Sequence, residues 1–233
     1  MNPAKSKITK VYSADDIRDM ALAFQKSRVL LTAYELGLFS ALGAKSKTAS
    51  EVARIIKTPA HSVQRLMQTL CALGFLGKKK DQFSNTPAAL RFLVKDSPEF
   101  MAGLRHTAHM WDSWSTLTAA VRKGTSVIGR NVNVSQRDKG WLEAFIAAMH
   151  ERAVKQASQV TALLDLSLVS RILDVGAGSG AYAMAWVKAK KEIKATVFDL
   201  PNVVAITRRY IKSAGLLDKI KIVSGDYQVD NLG

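Results

Sequence analysis

Cysteine, proline and glycine are all scarce. A single cysteine, Cys71, in 233 residues excludes an intramolecular disulfide framework and fits a reducing compartment, so a cytoplasmic location is expected. With 5 Pro and 14 Gly, the composition of a long flexible linker is missing. No apolar run approaches the roughly 18–20 residues of a membrane span. Met1 to Lys10 is polar and basic, with no apolar centre for a secretory signal. Acidic residues are outnumbered, 19 against 34 Lys and Arg, which leaves a formal charge of +15. Such a balance suits nucleic acid or an anionic surface. The excess is nevertheless even, +8 over residues 1–100 and +7 over 101–233, and the densest run, Lys78-Lys79-Lys80, is short. Nucleic acid is therefore not the expected principal partner. What remains is ordinary globular material, 48% hydrophobic and 23% charged, in a chain long enough to bury a core without metals or disulfides.

Along the first hundred residues the pattern is helical, with one hairpin. Ser13 and Asp16 form a helix N-cap signal. The apolar spacing of Ile17, Met20, Ala21, Phe24, Leu31, Tyr34, Leu38 and Leu42 predicts one long helix. Thr48 and Glu51 make a capping box for a short helix through Ile56. Thr58 as cap, with Pro59 at the first helical position, opens a third helix that carries Val63, Leu66, Met67 and Leu70 and stops at Gly74. Phe75-Leu76 and Phe83-Ser84 flank a polar turn and read as a short hairpin. Thr86-Pro87 opens another helix. This order is that of a winged helix-turn-helix. A DNA-reading use would present Gln64, Arg65 and Gln68 to base edges. One Arg and no Lys between Pro59 and Leu73 is too little charge for that, which favours a packing and dimerisation module.

Ser97-Pro98 predicts a further helix to about Arg122, Gly124–Gly140 a polar loop, and Trp141 to about Leu164 a long helix with Phe145, Met149, Val154 and Val160 on one side. After Ser167–Ser170 the pattern alternates. Strands are expected at Arg171–Val175, Ala195–Asp199 and Ile220–Ser224, with helices at Ala181–Ala189 and Val203–Ala214 between them. That is a parallel βαβ arrangement.

The first of these strands runs into Asp174-Val175-Gly176-Ala177-Gly178-Ser179-Gly180. Glycines permit positive φ and close approach of a ligand, and the next helix offers free N–H groups. Asp199 lies 23 positions beyond Gly176 at the end of the second strand, where a carboxylate accepts from ribose hydroxyls. Asp226 and Tyr227 follow the third strand, an acceptor for an adenine amino group and a ring for the purine face. A dinucleotide pattern, Gly-x-Gly-x-x-Ala, is satisfied through Ala181. An acidic residue ahead of Gly-x-Gly-x-Gly instead resembles the S-adenosylmethionine motif, in which Asp174 would hold the methionyl ammonium. The same carboxylate would repel a pyrophosphate.

The order of features resembles the small-molecule O-methyltransferase family with an N-terminal winged-helix dimerisation domain, whose members include plant phenolic, hydroxyindole and bacterial polyketide and carotenoid methyltransferases. Ala33–Phe39, Leu173–Gly180, Phe198–Val204 and Gly225–Tyr227 carry the likeness, and Phe145–Met149 looks like the helix lining the acceptor pocket. The resemblance implies a mainly α winged-helix dimerisation domain over residues 1–96. It also implies helical connector and acceptor-pocket helices over 97–168, and the first half of a Rossmann-like α/β methyltransferase domain over 169–233. It implies S-adenosylmethionine held by Asp174, Gly176, Gly178, Gly180, Asp199, Leu200, Asp226 and Tyr227. An acceptor pocket would include Phe145, Met149, His106 and His109, with no metal. A homodimer and a small-molecule acceptor are the implied partners.

The family's general base, a histidine, and four further strands follow the third strand, beyond Gly233. None of His61, His106, His109 and His150 stands at its place. The expectation is a chain truncated within its catalytic domain and inactive by itself, with Ile172, Leu173 and Val175 on an unpaired apolar edge. Two rival readings are a non-catalytic binding protein and a winged-helix DNA regulator.

Overall fold

The computed structural model describes residues 11–127, 138–230 and 232. The basic N-terminus through Lys10 and most of the loop expected over 124–140 lie outside the described residues. The chain divides into two compact units, residues 1–100 and 101–233.

The first unit opens with α1 (Ala14–Glu35) on the expected capping box. The Asp16 N–H donates to Ser13 Oγ at 3.1 Å and the Ser13 N–H to Asp16 Oδ2 at 2.9 Å. The single helix expected through Leu42 is broken. Gly37 takes φ +68°, and a separate α2 (Leu38–Leu42) follows. The break turns Leu38, Phe39 and Leu42 into the core, while Ile17 and Met20 on α1 are 60% and 64% exposed.

Next come β1 (Lys47–Thr48), α3 (Ala49–Ile56), α4 (Ala60–Ala72), β2 (Leu76–Lys79) and β3 (Gln82–Asn85). The Thr48–Glu51 box forms as expected. α4 starts later than expected. Pro59, at ψ 130°, occupies the cap position itself, and the Thr58 hydroxyl donates to the Ile56 carbonyl instead of capping the helix. The hairpin is present, in an antiparallel sheet of order β1-β3-β2. Val63, Met67 and Leu70 are buried, and Gln64, Arg65 and Gln68 are exposed. Asn85 Nδ2 donates to the carbonyls of Phe39 (2.8 Å) and Gly43 (2.9 Å), which ties the end of α2 to the sheet. α5 (Pro87–Phe92) is capped by Thr86 as expected.

In the second unit the helix expected from Ser97 is shorter and divided, into α6 (Leu104–Ser115) and α7 (Leu117–Lys123). The Ser97 hydroxyl donates back to the Arg91 carbonyl at 2.6 Å and accepts from the Glu99 N–H at 3.4 Å, a local turn that no helix continues. α8 (Lys139–Leu163) begins before Trp141, because Asp138 caps it by accepting from the Trp141 N–H at 2.9 Å. α6 lies against α8 at a glycine. The Gly103 N–H donates to Glu151 Oε1 at 2.8 Å, and a Cβ on Gly103 would stand 2.8 Å from Ala148 Cα. The buried face of α8 carries Leu142, Ala144, Ile146, Ala147 and Ala157. Val154 and Val160, expected beside Phe145 and Met149, are 50% and 38% exposed.

β4 (Arg171–Val175), α9 (Ala181–Ala189), β5 (Lys194–Asp199), α10 (Pro201–Ser213) and β6 (Ile220–Ser224) form the parallel sheet β4-β5-β6. Met184, Val187, Val197, Ile211 and Ile220 pack as its core. A second cluster joins Leu142 and Ile146 of α8 to Val203 and Ile206 of α10. Among the described residues β4 pairs only with β5 and is an edge strand as expected, but strand alternation removes Ile172 from the expected apolar edge. Ile172 packs against the core, and only Leu173 and Val175, on the other face, are exposed, at 45% and 39%. Among the described residues no helix is long and apolar enough to cross a membrane.

Candidate cofactor site

The connection from β4 to α9 folds as a chain of left-handed glycines, with φ +70° at Gly176, +55° at Gly178 and +75° at Gly180. A side chain is disfavoured at each by its backbone conformation. The Gly176 N–H donates to the Phe198 carbonyl at 2.9 Å, which clamps the loop to the end of β5. Gly180 caps α9 without a side-chain bond, so the first N–H groups of that helix face the loop and suit an anionic group.

The three carboxylates predicted from spacing meet here in different states. Asp199 accepts from the Gly178 N–H (Oδ2, 2.7 Å) and from the Leu200 N–H (Oδ1, 2.8 Å). A carboxylate has about four acceptor sites, so each oxygen keeps one for a ligand hydroxyl. Asp174 Oδ2 is buried with no hydrogen-bond partner. Burial pushes the Asp174 carboxyl above the ordinary carboxylate range. The Ala183 N–H opposes the rise and the nearby Asp199 charge adds to it. A donor or cation placed against Asp174 would relieve that cost. Asp226 Oδ1 accepts from the Gln228 N–H at 3.0 Å, and the Asp226 N–H donates to Asp230 Oδ2 at 2.7 Å, a turn that leaves Tyr227 60% exposed.

These groups line one cavity of about 680 Å³. Asp174, Gly176, Gly178, Asp199, Leu200, Asp226 and Tyr227 all border it, and Phe145 and Met149 of α8 supply an apolar side. Gly180 lies just behind, between the lining residues Ser179 and Ala181. His106 and His109, expected in the acceptor pocket, are not among the residues that line this cavity. His106 packs edge-on against Phe145 (5.3 Å between ring centres) and Trp141 (5.9 Å). Burial lowers the His106 pKa, with the charges of His109 and Arg152 acting in the same direction.

Two supporting residues escape a motif search. Thr207 is fully buried, and its hydroxyl lies 2.6 Å from the Gly178 carbonyl and 3.1 Å from that of Val203. A threonine in line with Val203 and Ile211 at four-residue spacing is the signal, since a hydroxyl on an apolar face needs a backbone partner. His150 of α8 bonds Ser179, and it shares its face of the helix with Ile146.

Residues 114–233 match the model of an O-methyltransferase domain, and residues 19–95 that of an O-methyltransferase dimerisation domain. The chain is 30% identical to a 3-hydroxy-5-methyl-1-naphthoate 3-O-methyltransferase of Streptomyces sahachiroi, over 93% of this chain and 64% of that protein. It is 28% identical to the tetracenomycin polyketide synthesis 8-O-methyl transferase TcmO of Streptomyces glaucescens, over 96% of this chain and 68% of the other. The fold superposes on human N-acetylserotonin methyltransferase in complex with SAM with a TM-score of 0.76 at 24% identity, covering 97% of this chain and 70% of that one. The chain thus spans a little under two thirds of the first of these relatives.

Proposed function

The chain belongs to the O-methyltransferase family that carries an N-terminal dimerisation domain, and from that premise we propose that it holds S-adenosylmethionine at the ends of β4, β5 and β6. The methyl acceptor in this reading is the hydroxyl of a small aromatic or polyketide-like molecule. The observation that carries the reading is convergence. Three adjacent parallel strands each deliver a carboxylate to one cavity, and a glycine loop leads from it to a helix N-terminus.

The residues suit the group. Asp199 has acceptor sites left for two ribose hydroxyls, Asp226 is an acceptor for the adenine amino group, and Tyr227 is an exposed ring for the purine. The unpartnered Asp174 oxygen suits the methionyl ammonium, and the N–H groups that start α9 suit the carboxylate. A pyrophosphate beside Asp174 would be repelled, which disfavours NAD. When bound, S-adenosylmethionine supplies a methyl group on a sulfonium sulfur that departs as a neutral thioether. Phe145 and Met149 exclude water from the acceptor side and offer it an apolar surface. The acceptor hydroxyl must also lose a proton. None of the four histidines lines the cavity, and its carboxylates are committed to the cofactor. Residues 1–233 alone are therefore expected to turn over slowly, by a factor of ~10²–10⁴ for want of a base. Titration calorimetry of this chain tests the reading: S-adenosylhomocysteine should bind and NAD should not. Preferential NAD binding would overturn it.

The dimerisation region is proposed to join two copies through α1, whose Ile17 and Met20 are exposed. Sedimentation at micromolar concentration should show a dimer, and Met20→Asp should shift it to monomer. A wild-type monomer would refute this arrangement.

A further inference from the structure

We propose that His150 is a positioning residue for the glycine loop, holding it in its ligand-ready shape through Ser179. The inference rests on the cofactor reading above and deepens it. Ser179 sits between two left-handed glycines, Gly178 and Gly180. A Gly-Ser-Gly segment has little conformational preference of its own, so its shape must come from anchors. Backbone bonds fix its ends and close a turn, the Gly176 N–H donating to the Phe198 carbonyl at 2.9 Å and the Gly180 N–H to the Ala177 carbonyl at 2.7 Å. Asp199 accepts from the Gly178 N–H, and Thr207 bonds the Gly178 carbonyl. None of these bonds holds the Ser179 side chain. The anchor for Ser179 comes from α8, where His150 Nδ1 lies 2.8 Å from Ser179 Oγ.

The imidazole is itself held. Its ring centre lies 4.2 Å from that of Tyr210 on α10. Burial lowers its pKa, which favours the neutral ring. Ser179 is 5% exposed yet borders the cofactor cavity, whereas His150 does not border it. His150 thus acts on a ligand only through the serine. The next residue back in α8, Met149, borders the same cavity. One helix therefore carries both an apolar wall of the cavity and the pin of the loop, so a shift of α8 is transmitted to the glycines. Pre-setting a loop in its bound shape raises affinity by lowering the ordering cost.

The test is a double-mutant cycle on the whole chain, read by calorimetric titration with S-adenosylhomocysteine and by amide exchange of the ligand-free loop. His150→Phe keeps a ring against Tyr210 and removes the hydrogen bond; Ser179→Ala removes its other end. Each single change should weaken binding about 5- to 30-fold, and the double variant should be no weaker than the worse single one. His150→Asn, whose amide can bond the serine, should recover most of the loss. Amides of residues 176–180 should exchange faster in His150→Phe without ligand. A wild-type chain that binds no S-adenosylhomocysteine overturns the cofactor reading and this proposal together. Wild-type binding with additive single losses, or with no loss, overturns this proposal alone. If His150→Phe does not fold, Ser179→Ala against His150→Asn still decides: wild-type affinity in Ser179→Ala refutes the proposal.

Discussion

Alanine at position 199 is expected to weaken S-adenosylmethionine binding by roughly 30- to 1000-fold, about 2–4 kcal/mol. The reason is that Asp199 serves two purposes. It offers acceptor sites to a ligand, and it already binds the N–H groups of Gly178 at 2.7 Å and Leu200 at 2.8 Å. Its removal strands two donors at the edge of the cavity and frees the loop from β5. Hydrogen bonds to an ionised acceptor are roughly twice as strong as neutral ones, so the loss exceeds that of a ribose contact alone. Asp199→Asn keeps one acceptor oxygen but turns an amide N–H₂ toward one of the two donors, so an intermediate loss is expected. Calorimetry with S-adenosylhomocysteine on each variant reads the effect. Equal affinity for wild type and Asp199→Ala would remove Asp199 from the site.

Gly225→Ala is expected to destabilise the second unit by about 3 kcal/mol and to damage the cofactor site as well. A Cβ there would stand 2.4 Å from Phe198 Cζ and 2.8 Å from Asp230 Oδ2. Phe198 is 4% exposed, and a ring so enclosed has nowhere to turn. The Gly225 N–H donates to the Asp199 carbonyl at 3.0 Å, so a displaced backbone moves both Asp199 and Asp226. Gly176→Ala is the control. It takes φ +70° with nothing within 4 Å of its Cβ, so it should cost only the left-handed backbone penalty, about 1–2 kcal/mol. Denaturant unfolding of the two variants separates crowding from backbone strain. A Gly225→Ala variant that unfolds at the wild-type midpoint would contradict the packing argument.

How far the site can be read in advance depends on how local each feature is. The glycines, Asp174, Asp199, Asp226 and Tyr227 stand at the ends of strands that alternate with helices, and strand ends of a parallel sheet share one crevice. Their convergence therefore follows from element order, and all of them but Gly180 border one cavity. The capping boxes at Ser13 and Thr48 are equally local. The break in α1 is not, although Gly37 is in plain view. Tyr34, Leu38 and Leu42 keep a four-residue spacing across it and so conceal the turn. The surroundings of His106 and His109 are likewise not local. Their three-residue spacing puts them on one face of α6, but nothing in it says that His106 meets the rings of Trp141 and Phe145.

The amino-acid order by itself determined the alternation of strands and helices after Arg171, the left-handed loop between β4 and α9, and the acids that end each strand. These depend on backbone preference and on the two periodicities, which act over a few residues. Tertiary structure alone decided which face of α8 is buried, which of its residues border the cavity, and how the loop is held. The His150–Ser179 and Thr207–Gly178 bonds each span 29 residues of chain, and the clash that requires glycine at 225 comes from Phe198 on the neighbouring strand. Contacts of that kind exist only once the sheet and its helices have packed, because no local preference encodes the distance between two distant side chains.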